Sequence, residues 1–314
     1  MPIDVPTLIS ALAPVLLVLG LGFAAGKHHS FDEDQTRGLS RLALTYALPA
    51  ALFLSMAHFD RYTLVEQGPV ALVMLGGYSG LYLFLYWLLL RAGLDKLKAA
   101  LLGYTFSSSS VPVYGLTILT PIYGAETGGA VVGLVALITN LAQVSIAVFL
   151  LESGASPQGR KLSLTGAVGR SAANPLVWAP VLGGVMALSG IHLSPYVATV
   201  LAPLAAAASG VAIFAAGLVI ASHRTKLSPL VLIGTLTVLL LQPAIFFALM
   251  KLGALSGDIP GAAIAASAFP NATIAVLFAQ QYRAAQTETA SIMLVTTLGM
   301  IVSIPLALAA ASYL

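Results

Sequence analysis

Two segments of the chain place a proline among small polar residues inside otherwise apolar sequence. Four consecutive serines precede Pro112, and Asn271 and Thr273 follow Pro270. Proline removes one backbone donor and clashes with the preceding turn, so each segment predicts an interrupted helix. The second half of such a helix begins with unpaired N–H groups and a partial positive charge, which attract an anion. The pattern therefore predicts an anion-binding site built from backbone and side-chain donors.

Amide side chains inside other apolar stretches could take part in that site. Asn140 and Gln143 lie three residues apart on one helix face, where they could orient an anion or join two helices by hydrogen bonds. Gln242, which precedes a proline, favours the joining role. The candidate substrate-binding residues are Ser107, Ser108, Ser109, Ser110, Pro112, Asn140, Gln143, Pro270, Asn271 and Thr273.

Ionisable side chains are absent from the apolar stretches except at their ends. A carboxylate-driven proton relay is therefore not expected, since such relays use membrane-buried acids. We expect no metal site and no cofactor. The coupling ion, Na⁺ or H⁺, stays open because carbonyls and hydroxyls alone can bind Na⁺. The sequence also lacks a Gly-rich Lys-Ser/Thr phosphate-binding loop, which argues against transport driven by ATP hydrolysis in this chain. It lacks a mid-membrane acid–base pair as well, which argues against an enzyme.

The amino-acid composition indicates whether these segments are surrounded by water or by lipid. The 314 residues are 59% apolar and only 8% charged, whereas a soluble domain has about 25% charged residues. These values exclude a soluble enzyme and a disordered protein. The absence of cysteine excludes disulfides, thiolate metal sites and cysteine nucleophiles. Residues 1–4 carry no basic side chain, so we expect the first apolar stretch to be retained rather than cleaved as a signal peptide.

Ten apolar stretches follow one another, each near the ~20 residues that a spanning helix needs. They cover 7–26, 38–57, 68–90, 99–122, 127–151, 171–190, 194–221, 229–250, 259–281 and 288–313. Such runs are too long and too uniformly apolar for barrel strands, which alternate. The chain is therefore predicted to be an all-α integral membrane protein with ten transmembrane helices in the lipid bilayer, without a nucleic-acid partner.

The two halves of the chain resemble each other. Pro69 and Pro229 open the third and eighth stretches, and Pro112 and Pro270 lie inside the fourth and ninth. An odd number of helices in each repeat means that the second repeat is inverted, which is typical of secondary transporters. We therefore predict a 5+5 inverted repeat whose broken helices 4 and 9 cross near the bilayer centre. Its parts are a first five-helix repeat at 1–151, a cytoplasmic linker at 152–170 and a second, inverted repeat at 171–314.

Orientation follows from the distribution of lysine and arginine among the loops. The odd-numbered loops carry 12 of these residues and the even-numbered loops carry 2. The 12 are Lys27, Arg37, Arg41, Arg91, Lys96, Lys98, Arg160, Lys161, Arg170, Arg224, Lys226 and Arg283; the 2 are Arg61 and Lys251. This split predicts cytoplasmic odd-numbered loops and both termini outside, in a plasma membrane or bacterial inner membrane.

Several motifs resemble those of the auxin efflux carrier family, which includes plant auxin exporters and bacterial malonate-type permeases. They are Leu48-Pro49-Ala50, Asn174-Pro175-Leu176, Phe269-Pro270-Asn271-Ala272, Phe278-Ala279-Gln280-Gln281-Tyr282 and Thr296-Thr297-Leu298-Gly299-Met300. The resemblance covers nearly the whole chain. It implies organic-anion transport, elevator-type alternating access, crossing helices broken at Pro112 and Pro270, and a possible homodimer through the second and seventh helices. The chain departs from the family at 107–110, where relatives often place Asn and Gly.

These observations predict a secondary transporter of a small organic anion. A malonate-like mono- or dicarboxylate is the leading candidate, from the resemblance to the bacterial branch. An exporter of amino acids or auxin-like aromatic acids would share every feature above. A membrane scaffold or sensor that transports nothing would keep the helices but would need no polar crossover. The sequence leaves open the exact substrate, the direction of flux, the coupling ion and the oligomeric state.

Overall fold

A computed structural model describes residues 5–58, 62, 66–155, 172–223 and 225–314, with the backbone alone at 5–12, 15, 112, 113, 116 and 117. The described residues form helices and no strand, which confirms the all-α prediction. Six helical segments of 24–37 residues are long and apolar enough to cross a membrane. This number falls short of ten, so the ten-helix inverted repeat stays a prediction.

The described residues form twelve helices. They are α1 Val5–Lys27, α2 Glu33–Ala57, α3 Gly68–Arg91, α4 Lys96–Ser107, α5 Val111–Ile138, α6 Val144–Gly154, α7 Pro175–Leu188, α8 Pro195–Ser222, α9 Pro229–Leu252, α10 Asp258–Ser267, α11 Thr273–Tyr282 and α12 Gln286–Ala311. A π-helical turn at Thr139–Gln143 joins α5 to α6 without a loop. Further π-helical turns lie inside α2, α3 and α9, at Ala43–Ala47, Gly76–Gly80 and Thr237–Leu241.

The fourth and ninth apolar stretches are each divided into two helices. Residues 108–110 separate α4 from α5, and residues 268–272 separate α10 from α11. Proline explains both breaks, because it cannot donate to the preceding turn. Pro112 lies in the first turn of α5, and Pro270 lies within the second break.

Other helix ends differ from the predicted stretches. The predicted fourth and fifth stretches are connected by a single non-helical residue rather than by a longer loop. This residue is Gly124, whose φ of 85° and ψ of 163° turn the chain. Glycine adopts this conformation at no steric cost. Helix α7 has only 14 residues and begins directly after Asn174. The Asn174 side chain accepts a hydrogen bond from the Leu176 N–H. Helix α6 extends to Gly154, and the remainder of the predicted linker, 156–170, lies outside the described residues.

The helices pack as two groups. In the four-helix bundle, α1 and α2 pack against α8, and α2 packs against α7. In the crossover bundle, which consists of α3–α6 and α9–α12, α4 packs between α3 and α6, while α10 packs against α5 and α12. Contacts of α8 with α11 and of α1 with α5 join the two bundles. Each bundle therefore combines helices from both halves of the chain.

Candidate functional site

The two helix breaks are hydrogen-bonded to each other. The Ser110 N–H donates to the Pro270 carbonyl at 2.9 Å. The Ser109 hydroxyl donates to the Ala266 carbonyl at 2.8 Å. We call the residues 107–112 and 267–273 the crossover, because the ends of α4, α5, α10 and α11 meet there. Ser107, Ser108, Ser109 and Ser110 are at most 2% exposed, and Asn271 is fully buried.

Serine hydroxyls occupy the first donors of α11. The Ala272 N–H donates to Ser108 Oγ at 3.2 Å, and the Thr273 N–H donates to Ser110 Oγ at 3.0 Å. The Ser110 hydroxyl in turn donates to the Asn271 carbonyl at 3.3 Å and lies 3.4 Å from Thr273 Oγ1. These hydrogen bonds satisfy groups that a helix N-terminus leaves without intrahelical partners. The start of α11 is therefore capped by the protein itself.

The carbonyl ends of α4 and α10 are also satisfied internally. Gln143 Nε2 donates to the Ser107 carbonyl at 3.0 Å. The Ser303 hydroxyl of α12 donates to the Ala268 carbonyl at 2.9 Å. The Ser107 hydroxyl is engaged within its own helix, where it donates to the Gly103 carbonyl at 2.8 Å. The negative ends of both helices are therefore covered by side-chain donors.

The start of α5 differs from that of α11. Within the described part of the chain, no side chain accepts a hydrogen bond from the first turn of α5, which begins at Val111. The first N–H groups of a helix lack intrahelical partners and carry a partial positive charge. Pro112 contributes no donor here, and its side chain lies outside the described residues. Of the two N-termini predicted to bind an anion, the one at α5 keeps the Val111 N–H without a side-chain acceptor among the described residues, while the Tyr114 N–H donates to the Ser110 carbonyl at 3.0 Å.

Asn271, whose backbone carbonyl accepts from the Ser110 hydroxyl, carries a buried amide. Its Oδ1 accepts from the Thr296 hydroxyl at 3.0 Å, and Thr296 also lies 2.7 Å from the Ile292 carbonyl. Among the described residues, Asn271 Nδ2 is buried without a hydrogen-bond partner. A buried N–H that lacks an acceptor is unfavourable by about 1–3 kcal/mol. Asn271 is thus the buried side-chain donor of the crossover with unused capacity.

The two amides predicted on one face of the fifth stretch have different surroundings. Gln143 reaches the crossover, because its Nε2 donates to both the Tyr78 and Ser107 carbonyls, at 3.1 and 3.0 Å. Asn140 is 2% exposed, but its Nδ2 has no partner in the described part of the chain. The structure therefore brings Gln143, and not Asn140, into hydrogen-bonding contact with the crossover.

Sequence reasoning missed the contribution of α12. Thr296 and Ser303 bind Asn271 and the Ala268 carbonyl, respectively. Thr296 belongs to the motif that carries the family resemblance, and Ser303 has a counterpart in Ser145 of the first half. These two signals pointed to the segment, but neither indicates which group a hydroxyl binds.

Cavities lie along the seam between the two bundles. Three of them, of about 530, 300 and 230 Å³, meet near Gln280 and Gln281 at the end of α11. A fourth, of about 560 Å³, lies at the opposite end of the molecule and includes Glu66 and Glu126. No group of three or more His, Cys, Asp or Glu side chains within the described ranges could hold a metal ion.

Comparisons with known proteins give a consistent result. A family model described as membrane transport protein matches residues 7–308. The uncharacterized transporter YfdV of Escherichia coli (strain K12) is 31% identical over 304 residues, which are 95% of this chain and 96% of the relative. The proteins of the same description from E. coli O157:H7 and Shigella flexneri match with the same identity and coverage.

Proposed function

Because this chain belongs to the auxin efflux carrier family of membrane transport proteins, we propose that it is a secondary transporter of a small organic anion. The family groups membrane transporters rather than enzymes. A malonate-like mono- or dicarboxylate is the proposed substrate class. The anion sits at the crossover, with a carboxylate against the first turn of α5.

The observation that carries this proposal is the unequal capping of the crossover. Serine hydroxyls accept from the Ala272 and Thr273 N–H groups at the start of α11, while the Val111 N–H of α5 and Asn271 Nδ2 have no side-chain acceptor among the described residues. A helix N-terminus stabilises an anion by about 0.3–2 kcal/mol, and a hydrogen bond to a charged group adds about 1.5–3 kcal/mol. Together these terms amount to about 2–5 kcal/mol, which supports binding in the millimolar range for a small anion.

The two-bundle architecture supports an elevator-type cycle for this carrier. The crossover belongs to one bundle, and the described cavities lie on the seam at both ends of the molecule. Sliding of the crossover bundle against the four-helix bundle would expose the buried site to one end and then to the other. The apolar surfaces of the helices would remain in contact with lipid throughout this movement.

The direct test is uptake of radiolabelled malonate into proteoliposomes with imposed pH, Na⁺ and voltage gradients in turn. Wild-type protein is expected to show saturable uptake, and the gradient that drives it identifies the coupling ion. Asn271→Asp replaces the donor by an anionic acceptor and is expected to reduce uptake more than tenfold. Gln35→Glu is the matched control, because it makes the same change from amide to carboxylate at an exposed position where glutamate also accepts from the Asp32 N–H.

Two results would contradict the proposal. Normal uptake by Asn271→Asp would remove the crossover from the substrate path. Saturable uptake of amino acids or aromatic acids by folded wild-type protein, without uptake of malonate, would replace the proposed substrate class.

A further inference from the structure

A cavity at one end of the seam combines unpaired positive charge with amide and hydroxyl groups. It has a volume of about 230 Å³ and is enclosed by one face of α2 and the end of α11. Its lining residues are Arg37, Ser40, Arg41, Leu44, Thr45, Gln280 and Gln281. We call it the Arg41 cavity. Drug-sized ligands occupy about 300–1,000 Å³, so this cavity suits an anion of only a few carbon atoms.

The two arginines of the Arg41 cavity differ in their partners. The Arg37 guanidinium donates to Glu33 at 2.7 Å and to Asp34 at 2.9 Å, which neutralise it. Arg41, one turn further along α2, forms no ion pair with the described residues. A guanidinium fork matches the two oxygens of a carboxylate. Arg41 therefore provides a cationic donor to the cavity that no carboxylate of the described residues neutralises.

Gln280 adds an oriented amide. Its side-chain oxygen accepts a hydrogen bond from Gln286 Nε2 at 2.8 Å, which fixes the orientation of the amide group. The remaining Nε2 of Gln280 is a donor, and the residue is only 4% exposed. The cavity therefore joins a charged donor on α2 to a neutral donor on α11.

The position of Gln280 connects this cavity to the crossover. Helix α11 begins at Thr273, whose N–H is bound by Ser110, and Gln280 follows seven residues later. At 1.5 Å per residue, the two positions are about 10 Å apart along the helix. Gln280 also lines the cavity of about 530 Å³, and Gln281 lines the one of about 300 Å³. The three cavities at this end thus converge on the helix that leads to the crossover.

We propose that the Arg41 cavity is a second carboxylate-binding site, where the anion is held by Arg41 and Gln280 on its way between the predicted cytoplasmic side and the crossover. This assignment rests on the proposed function, since it concerns the same substrate class. A phospholipid headgroup carries a similar anionic group. The inner wall of the cavity is α11, which is buried from Ala275 to Gln280, and this favours a soluble anion over a lipid.

Anion occupancy of the cavity can be measured without transport. The chain has no cysteine, so Gly38→Cys supplies a single thiol for a fluorescent label beside the cavity, at an exposed position one turn from Arg41 where a side chain meets open space. In phosphatidylcholine vesicles, iodide is expected to quench this label about threefold more strongly than neutral acrylamide does, and malonate is expected to protect it. Arg41→Gln should abolish both the iodide preference and the protection. Arg41→Lys should keep the iodide preference but weaken protection, because it keeps the charge and loses the fork.

Arg91→Gln in the labelled protein is the matched control. Arg91 lies at the same end of the molecule but is stacked on Trp87, away from the cavity. It is expected to leave quenching and malonate protection unchanged. In transport, Arg41→Gln should raise the KM for malonate about threefold from the predicted cytoplasmic side and leave the KM from the other side unchanged, as befits one partly exposed ion pair.

The outcomes separate this site from the proposed function. Malonate uptake that requires Asn271, with protection and KM unaffected by Arg41→Gln, would overturn the site and leave the function standing. Arg41-dependent protection by malonate in a protein that transports no malonate would support the site and overturn the function. Quenching that is lost on adding phosphatidylglycerol, without protection by malonate in phosphatidylcholine alone, would assign the cavity to lipid and overturn the proposal.

Discussion

Buried amides have different structural roles in this protein. Gln143 Nε2 donates to carbonyls from two different helices, those of Tyr78 in α3 and Ser107 in α4. Ser107 lies at a helix end, where carbonyls lose their regular partners, and Tyr78 lies in a π-helical turn, where its carbonyl also accepts from the Leu81 N–H. Gln242 is equally buried, yet neither of its side-chain polar atoms has a partner among the described residues. Gln143 therefore completes the crossover, whereas Gln242 does not.

Replacing each glutamine by leucine tests this distinction. Gln143→Leu leaves the buried Ser107 carbonyl without this donor, which is unfavourable by about 1–3 kcal/mol, and leaves the Tyr78 carbonyl with the Leu81 N–H alone. This variant is expected to lower the melting temperature in detergent by several degrees. Size-exclusion chromatography of samples heated to different temperatures measures this change. Gln242→Leu removes an amide without partners and is expected to leave the melting temperature unchanged or higher. Equal losses in both variants would show that Gln242 is also bound in the folded protein.

The sequence indicated which residue types form the crossover but not what they bind. The serines at 107–110 were expected to donate to an anion, and the site as a whole remains a prediction. In the structure, Ser107 donates to its own helix, Ser109 donates to α10, and the other two accept from α11. Spacing along one chain cannot distinguish these partners, because they depend on where a residue about 160 positions away is placed.

At the level of helices, close backbone contact holds α1 against α8. Gly22 faces the Phe214 carbonyl so closely that a Cβ atom there would collide with it. In the same way, a Cβ at Gly217 would collide with the Leu19 carbonyl. Small residues at such crossings let two membrane helices approach, because packing rather than hydrophobic exclusion drives their association in lipid.

Alanine substitution at two glycines of α1 tests the importance of this contact. Gly22→Ala is expected to destabilise the protein by about 1–3 kcal/mol, since the helices must separate to admit the methyl group. Gly20→Ala is the matched control on the same helix, because a Cβ there meets nothing within 4 Å. It should be neutral or stabilising by up to ~1 kcal/mol, as alanine favours a helix. Denaturant or thermal unfolding of both variants gives the comparison, and an equal response would exclude a close-packing role for Gly22.

Helix boundaries were predictable where a residue imposes them. Pro112 and Pro270 indicated the two breaks. Gly124 lies in the predicted connection between the fourth and fifth stretches, but the sequence did not indicate that a single non-helical residue would make this turn. The four π-helical turns have no common sequence either, since one consists of Gly76–Gly80 and another of Thr237–Leu241.

At the scale of the whole molecule, composition was sufficient to predict a helical membrane protein but not the division into two bundles. The four-helix bundle pairs α1 and α2 with α7 and α8, which are separated from them by more than 100 residues. Apolar stretches of similar composition carry no information on such pairing. The contact surface between the two bundles could therefore not be predicted from the sequence. An elevator cycle would require movement along this surface.

A thiol cross-link across the seam tests whether the two bundles move against each other. Leu141 belongs to the crossover bundle, and its Cδ1 atom lies 3.3 Å from the point that a Cβ atom would occupy at Gly184 in α7. Mercuric ion is expected to bridge Leu141→Cys and Gly184→Cys and to stop malonate uptake, with recovery on adding dithiothreitol. The matched pair is Leu239→Cys with Gly299→Cys, which also joins a leucine position to a glycine position but lies wholly within the crossover bundle. A bridge there should leave uptake intact, because both ends move together. Undiminished uptake with the seam cross-linked would exclude relative movement of the bundles as the transport step.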